Sequence, residues 1–294
     1  MVDIKKNGNC ALICVIILGL LNPIFAQDKK AYTICANDKL VPYSELLNAC
    51  LEADIVFFGE LHNNPIGHWL QIELTKDLYT KHGENLVLGA EMFESDNQVI
   101  LDEYLNDYIS EAKFESECRL WDNYKTDYKP LVLFAKEKKI KLIATNIPRR
   151  YASMVNNKGI KSLDELTKQA RKWIAPLPFQ VDLKLSSYKS LLDDEETPSQ
   201  ESVNFVFAQA IKDATMAHFI LENFHKKTKF IHFNGKYHSD LKQGIVHYIT
   251  QSKATLKIVN ISMDEFNDIN SCQSGEQNIA NFIIQVSDSM TKTY

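Results

Sequence analysis

Residues 55–62 read Ile55-Val56-Phe57-Phe58-Gly59-Glu60-Leu61-His62. Alternate residues of a strand point to opposite faces, so four consecutive apolar side chains ended by a glycine read as a strand buried on both sides. Such strands belong to parallel sheets covered by helices above and below. The same pattern recurs outward along the chain. Leu86–Met92, Ile140–Ala144 and Lys229–Phe233 read as further buried strands, with Leu256–Ile261 and Phe282–Val286 following. Helical stretches lie between them. One opens at Pro65 and ends before Gly83, a second is Gln98–Tyr108, a third Ser110–Tyr124, and others begin at Pro130 and Pro148. Ser162–Trp173, Val203–Phe224 and Leu241–Thr250 complete the set. Strands alternating with helices imply βαβ units. The expected fold class is therefore α/β, a mostly parallel central sheet flanked by helices, with an additional helical insertion between about 95 and 228.

Chemistry-bearing side chains fall at the ends of these strands. Glu60 and His62 follow the first, Glu91 ends the second, Asn146 and Arg149 follow the third, and His238 follows the fourth. Ligands of open parallel sheets bind in the crevice at the carboxyl ends of the strands. Two carboxylates, two imidazoles, an amide and a guanidinium are thus expected on one rim. The spacing of two puts Glu60 and His62 on one side of an extended backbone, where they can share a metal or the carboxylate can orient the imidazole. Gly59 is expected to permit the turn out of the strand. Asp213 sits inside a long helical stretch, where an aspartate is a poor helix former; it is either exposed or aimed at the rim. His68 begins a helix on the same rim, whereas His82, His218, His225, His232 and His247 read as packing or surface residues.

Composition narrows the function classes. Of 294 residues, 45% are hydrophobic and 24% charged, with a formal net charge of −5, the balance of a chain with a sizeable core. That sign argues against nucleic acid as a partner, because neutralising phosphates needs a basic face. Residues 1–26 read as a secretory leader: Lys5 and Lys6, the uncharged run Ala11–Leu21, then Pro23 and Ala26. The run is shorter than the roughly 20 residues needed to span a bilayer. Residues 27–294 are expected to form a single domain in an exported, periplasmic or cell-envelope protein. Cys35, Cys50, Cys118 and Cys272 match no zinc spacing and leave room for one or two disulfides after export.

The run from Ile55 through His62 to Asn63-Asn64-Pro65, with Gln71 beyond it, resembles the opening motif of the ChaN family of haem-binding uptake proteins in the Tiki superfamily. Later pieces match in order: Ala90-Glu91-Met92-Phe93-Glu94; Trp121 followed by Asp127-Tyr128-Lys129-Pro130-Leu131; Thr145-Asn146-Ile147-Pro148-Arg149; Gln209 to Ala217; and Gly235-Lys236-Tyr237-His238-Ser239-Asp240. The resemblance covers about residues 40–262. It implies an α/β fold, haem as cofactor, two haems stacked face to face between the subunits of a homodimer, and a role in iron uptake alongside an envelope haem or iron transporter. Many members of the family are lipoproteins. Here neither Cys10, Cys14 nor Cys35 follows a small-residue motif after the apolar run, so a lipid anchor is not supported.

Tyrosinate suits ferric haem iron, and the resemblance points to Tyr128 or Tyr124 beside Trp121 as the axial ligand. Met92, Phe93, Trp121 and Tyr151 offer flat apolar area. Arg149, Arg150 and Arg119 offer guanidinium groups for the propionates, with Asn146 beside them. The wider superfamily implies an alternative, a metal-dependent hydrolase resembling the Tiki proteases or the erythromycin esterases. In that reading Glu60, His62, Glu91 and His238 hold Mn, Fe, Co or Zn, and these residues with Asp213 are the candidate catalytic groups around a metal-activated water.

Overall fold

A computed structural model describes residues 29–194, 196–273 and 278–294; the leader read at 1–26 lies outside the described residues. The chain runs β1 (Tyr32–Ala36), β2 (Lys39–Val41), α1 (Tyr43–Glu52), β3 (Ile55–Glu60), α2 (Pro65–His82), β4 (Leu86–Glu94), α3 (Gln98–Leu105), α4 (Glu111–Glu117) and α5 (Lys129–Lys138). It continues through β5 (Lys141–Asn146), α6 (Arg149–Lys158), α7 (Ser186–Lys189), α8 (Gln200–Asn223), β6 (Lys229–Gly235), α9 (Ile245–Ser252), β7 (Ile258–Phe266) and β8 (Phe282–Ser287). The eight strands form one sheet in the order β2-β1-β8-β7-β3-β6-β4-β5. The pairs from β8 to β5 are parallel, and β1 pairs antiparallel with both β2 and β8. The α/β class expected from the apolar strands is the class observed.

β3 shows why its run is unbroken. Ile55 and Phe57 pack on one face with Val87, Phe230, Met216, Ile220 and Ile249, under α8 and α9. Val56 and Phe58 pack on the other with Leu70, Leu74, Leu88, Leu131 and Phe233, under α2 and α5. Each such side chain contributes about 1.5–3 kcal/mol by leaving water. α2 begins where the sequence indicates: the Asn64 side chain accepts from the backbone N–H groups of Ile66 and Gly67, and Pro65 occupies the first turn.

Three expectations shift. Ser110–Tyr124 is not one helix. Its backbone leaves α4 at Cys118 because the Asn97 side chain accepts the Arg119 N–H at 2.7 Å, and a wide turn follows at Tyr124–Tyr128. Ser162–Trp173 forms two short turns, the first closed where both the N–H and the hydroxyl of Ser162 donate to the Gly159 carbonyl. Leu241–Thr250 starts only at Ile245, because Leu241, Lys242 and Gly244 have φ of 59°, 55° and 52°. The β1–β2 hairpin and α1 add to the sequence reading; Asn37 and Asp38, at φ 48° and 59°, form its turn. A disulfide joins Cys35 to Cys272, while Cys50 and Cys118 are free and buried. Among the described residues no helix is long and apolar enough to cross a membrane.

Candidate functional site

The parallel register sets the carboxyl ends of β3, β6, β4 and β5 side by side. A cleft of about 880 Å³ opens above them. His62, Glu91, Asn146, Arg149 and His238 line its floor and one side; Trp121, Phe205, Lys212 and Tyr294 line the rest. Gly59 lies within β3 rather than at a turn. Its missing Cβ is a packing requirement, since a Cβ there would sit 2.9 Å from the Ile261 carbonyl oxygen and from Lys236 Cα.

Two buried polar networks meet beneath the cleft. In the first, Glu60 accepts from His62 Nδ1 at 2.8 Å, from the Tyr128 hydroxyl at 2.7 Å and from the Gln71 amide. Burial alone raises the Glu60 pKa, but the His62 hydrogen bond, the His68 and His62 charges and the Tyr128 hydrogen bond outweigh it and hold the carboxyl below its usual range. Burial lowers the His62 pKa, yet Glu60 and Glu91 together raise it above normal. His68 Nε2 donates to the His62 carbonyl at 3.0 Å, and the Asn123 amide donates to the same carbonyl at 2.9 Å and to Asp127 at 2.7 Å.

In the second network Glu91 accepts the Gly235 N–H at 2.8 Å and faces His238 Nε2 at 3.3 Å. His238 Nδ1 donates to Asp213 at 2.6 Å, and Asp213 accepts the Tyr188 hydroxyl at 2.8 Å. Burial opposes the His238 charge, but the two flanking carboxylates lift its pKa to about 10. The same imidazolium outweighs burial at Glu91 and holds that carboxyl far below its usual range. Burial keeps Asp213 above its usual value despite His238 and Tyr188. The mid-helix aspartate is thus fully buried and aimed at the site. The His62 ring lies against Gly235, where an added Cβ would meet Nε2 at 2.7 Å.

Glu60, His62, Glu91 and His238 therefore converge, paired as Glu60 with His62 and Glu91 with His238. Among the described residues no group of three or more His, Cys, Asp or Glu side chains is arranged to hold a metal ion. Both nitrogens of His238 face carboxylates, and Glu60 has three hydrogen-bond partners.

The haem-binding candidates separate. Trp121 lines the cleft, its ring edge-on to His62 at 4.9 Å. Asn146 lines it with its side-chain oxygen buried and, among the described residues, without a hydrogen-bond partner. Arg149 turns Nε to Glu94 and keeps its side chain largely exposed. Arg150 pairs with Asp96 at 2.6 Å over the Tyr151 ring, and Arg119 pairs with Glu94 and Asp96, so neither lines the cleft. Met92 and Phe93 are buried in the core. Tyr128 and Tyr124 are buried too: the first holds Glu60, and the second packs edge-on against Phe93 and Phe114. Neither reaches the cleft. Phe205 and Lys212 were not singled out by sequence, although with Gln209 they follow the spacing of one helix face. Tyr294 lies 232 positions beyond His62 and had no local signal.

The residues present fit a haem. The cleft volume is in the range of cofactor pockets, about 300–1,000 Å³, and apolar side chains from Leu120, Trp121, Ile147 and Phe205 share it with Arg149 and Lys212. Of the side-chain types that ligate haem iron, His62, His238 and Tyr294 line it, and His238 has both nitrogens engaged.

The structure is similar to that of ChaN of Campylobacter jejuni, described as binding haem cofacially, with a TM-score of 0.63 and 19% identity over 88% of this chain and 98% of that one. An erythromycin esterase superposes only loosely, at a TM-score of 0.46 and 12% identity over 83% of this chain and 78% of that one. By sequence, Protein RETICULATA-RELATED 5, chloroplastic, of Arabidopsis thaliana is 28% identical over 134 residues, 44% of this chain and 18% of that protein; the chain spans about a fifth of that relative's length. Residues 46–249 match the family described as haem-binding uptake, Tiki superfamily, ChaN, and by that match over most of its length the chain belongs to the ChaN family.

Proposed function

We propose that this chain binds haem in the cleft above β3, β6, β4 and β5 as part of haem or iron uptake. The observation that carries the reading is the cleft wall itself: Trp121 and Phe205 offer flat apolar contact, and Arg149 and Lys212 stand beside them as cations for propionates. The side-chain oxygen of Asn146, without a hydrogen-bond partner among the described residues, offers a further polar contact. Bound haem supplies the iron to be carried; the chain's own residues bind and orient it. Export is supported by the leader read at 1–26 and by the Cys35–Cys272 disulfide, since such bonds persist in oxidising compartments. The cofacial binding described for the Campylobacter jejuni protein supports two haems stacked between two copies of the chain; the next recipient we propose, an envelope haem or iron transporter, follows from the uptake role of the family.

Titrating the purified chain with hemin and following the Soret band tests the reading. A saturable shift is expected, with affinity about three- to tenfold weaker in Arg149→Ala and in Lys212→Ala, as for loss of a partly exposed charge-assisted contact. No saturable shift in the unaltered chain, or variants that both bind as tightly as the unaltered chain, contradicts it.

A further inference from the structure

The segment after β8 returns to the cleft, and its attachment is specific. Met290 N–H donates to the Ser287 carbonyl at 3.0 Å, closing a turn at the end of β8. Lys292 pairs with Glu265 of β7. Thr293 is held twice: its N–H donates to the Asn63 carbonyl at 2.9 Å, and its hydroxyl donates to Asp127 at 2.9 Å. Asp127 is itself buried and accepts the Asn123 amide, which also holds the His62 carbonyl. The segment is therefore anchored to the network that holds the His62 carbonyl and to the residue that follows His62.

Tyr294 follows this anchor. It lines the cleft yet is 68% exposed, and its hydroxyl has no hydrogen-bond partner among the described residues. A large aromatic ring left in water at the mouth of a cleft, on a backbone fixed by two hydrogen bonds, has no packing role in the chain alone. Its neighbours in the cleft wall, Trp121 and Phe205, are aromatic as well, and Phe205 is 42% exposed. Flat aromatic side chains of this kind contact flat apolar ligands through their faces and edges.

We infer that Tyr294 is a ligand-contacting residue whose ring forms a wall of the cleft, and that Thr293 is the positioning residue that holds it there. The inference rests on the haem-binding reading and adds a wall from outside the matched family region, residues 46–249. It needs no coordination to iron by the phenol. The ring does the work, so phenylalanine can replace it. Thr293 acts through its hydroxyl, so serine can replace it and valine, of similar shape, cannot.

The test is hemin titration of the purified chain and four variants, followed at the Soret band, with thermal unfolding of each in parallel. Tyr294→Ala is expected to bind about tenfold more weakly, while Tyr294→Phe stays within about twofold of the unaltered chain. Thr293→Val is expected to lose several-fold, and Thr293→Ser to recover it. Unchanged affinity in Tyr294→Ala overturns the inference, and so does an equal loss in Tyr294→Phe, which moves the role from ring to hydroxyl. Equal losses in Thr293→Val and Thr293→Ser overturn the positioning role. A chain that does not bind hemin at all overturns the haem reading and this inference with it, a result distinct from normal binding that is indifferent to position 294.

Discussion

His238 stands between Glu91 and Asp213, and its pKa of about 10 lies above the ordinary 6.5. A group whose folded pKa is raised stabilises the fold fully below the unfolded value and loses that contribution as pH rises through the folded one. Stability is therefore expected to fall between about pH 6.5 and 10. Glu91 has the opposite sign: its contribution is present above about 4.5 and fades as pH drops. Urea unfolding across this range checks both, and His238→Leu is expected to cost about 3–5 kcal/mol at neutral pH, because it leaves two buried carboxylates without their cation. At Tyr128 the expectation is a structural one. Tyr128→Phe removes a donor from buried Glu60 and is expected to cost about 1.5–3 kcal/mol, measured by chemical denaturation; a loss below 0.5 kcal/mol, on the order of a surface change, would contradict the network. At this scale the polar residues at strand ends were legible, because a charged group directly after an apolar strand has few places to go. The tyrosines were not: their spacing does not reveal that Tyr128 faces inward to Glu60 across 68 positions.

Among elements, β6 and β3 carry the junction of the two networks at Gly235. Gly235→Ala puts a methyl 2.7 Å from His62 Nε2, so the ring must move. A stability loss of about 1–3 kcal/mol is expected, with a displaced His62 imidazole resonance in NMR spectra; an unmoved resonance would show that the ring does not pack there. The disulfide links β1 to the segment after β7 across 237 positions. Removing it with Cys272→Ser is expected to cost about 2–5 kcal/mol, read as a lower unfolding midpoint than that of the oxidised chain and insensitive to reductant. The parallel strands were legible because burial on both faces makes them continuously apolar. The hairpin edge was less so, since β1 and β2 are short and partly exposed. The long helical reading over Ser110–Tyr124 failed for a reason outside the segment, a side chain 22 positions away that captures the Arg119 N–H.

For the molecule as a whole, the sheet order matters more than any one motif. Inserting β6 between β3 and β4 brings His238 and Gly235 beside Glu60 and Glu91, and α8 then delivers Asp213 below the floor and Phe205 and Lys212 to the wall. The order of strands is not written in local periodicity, and neither is the return of Thr293 and Tyr294 to the cleft. Crystals soaked with hemin, and the iron located by its anomalous scattering, test the central claim most directly. An iron peak is expected inside the cleft bounded by Trp121, Asn146, Arg149 and Tyr294. Iron at another place on the surface, with that cleft empty in a chain that binds hemin in solution, would contradict it.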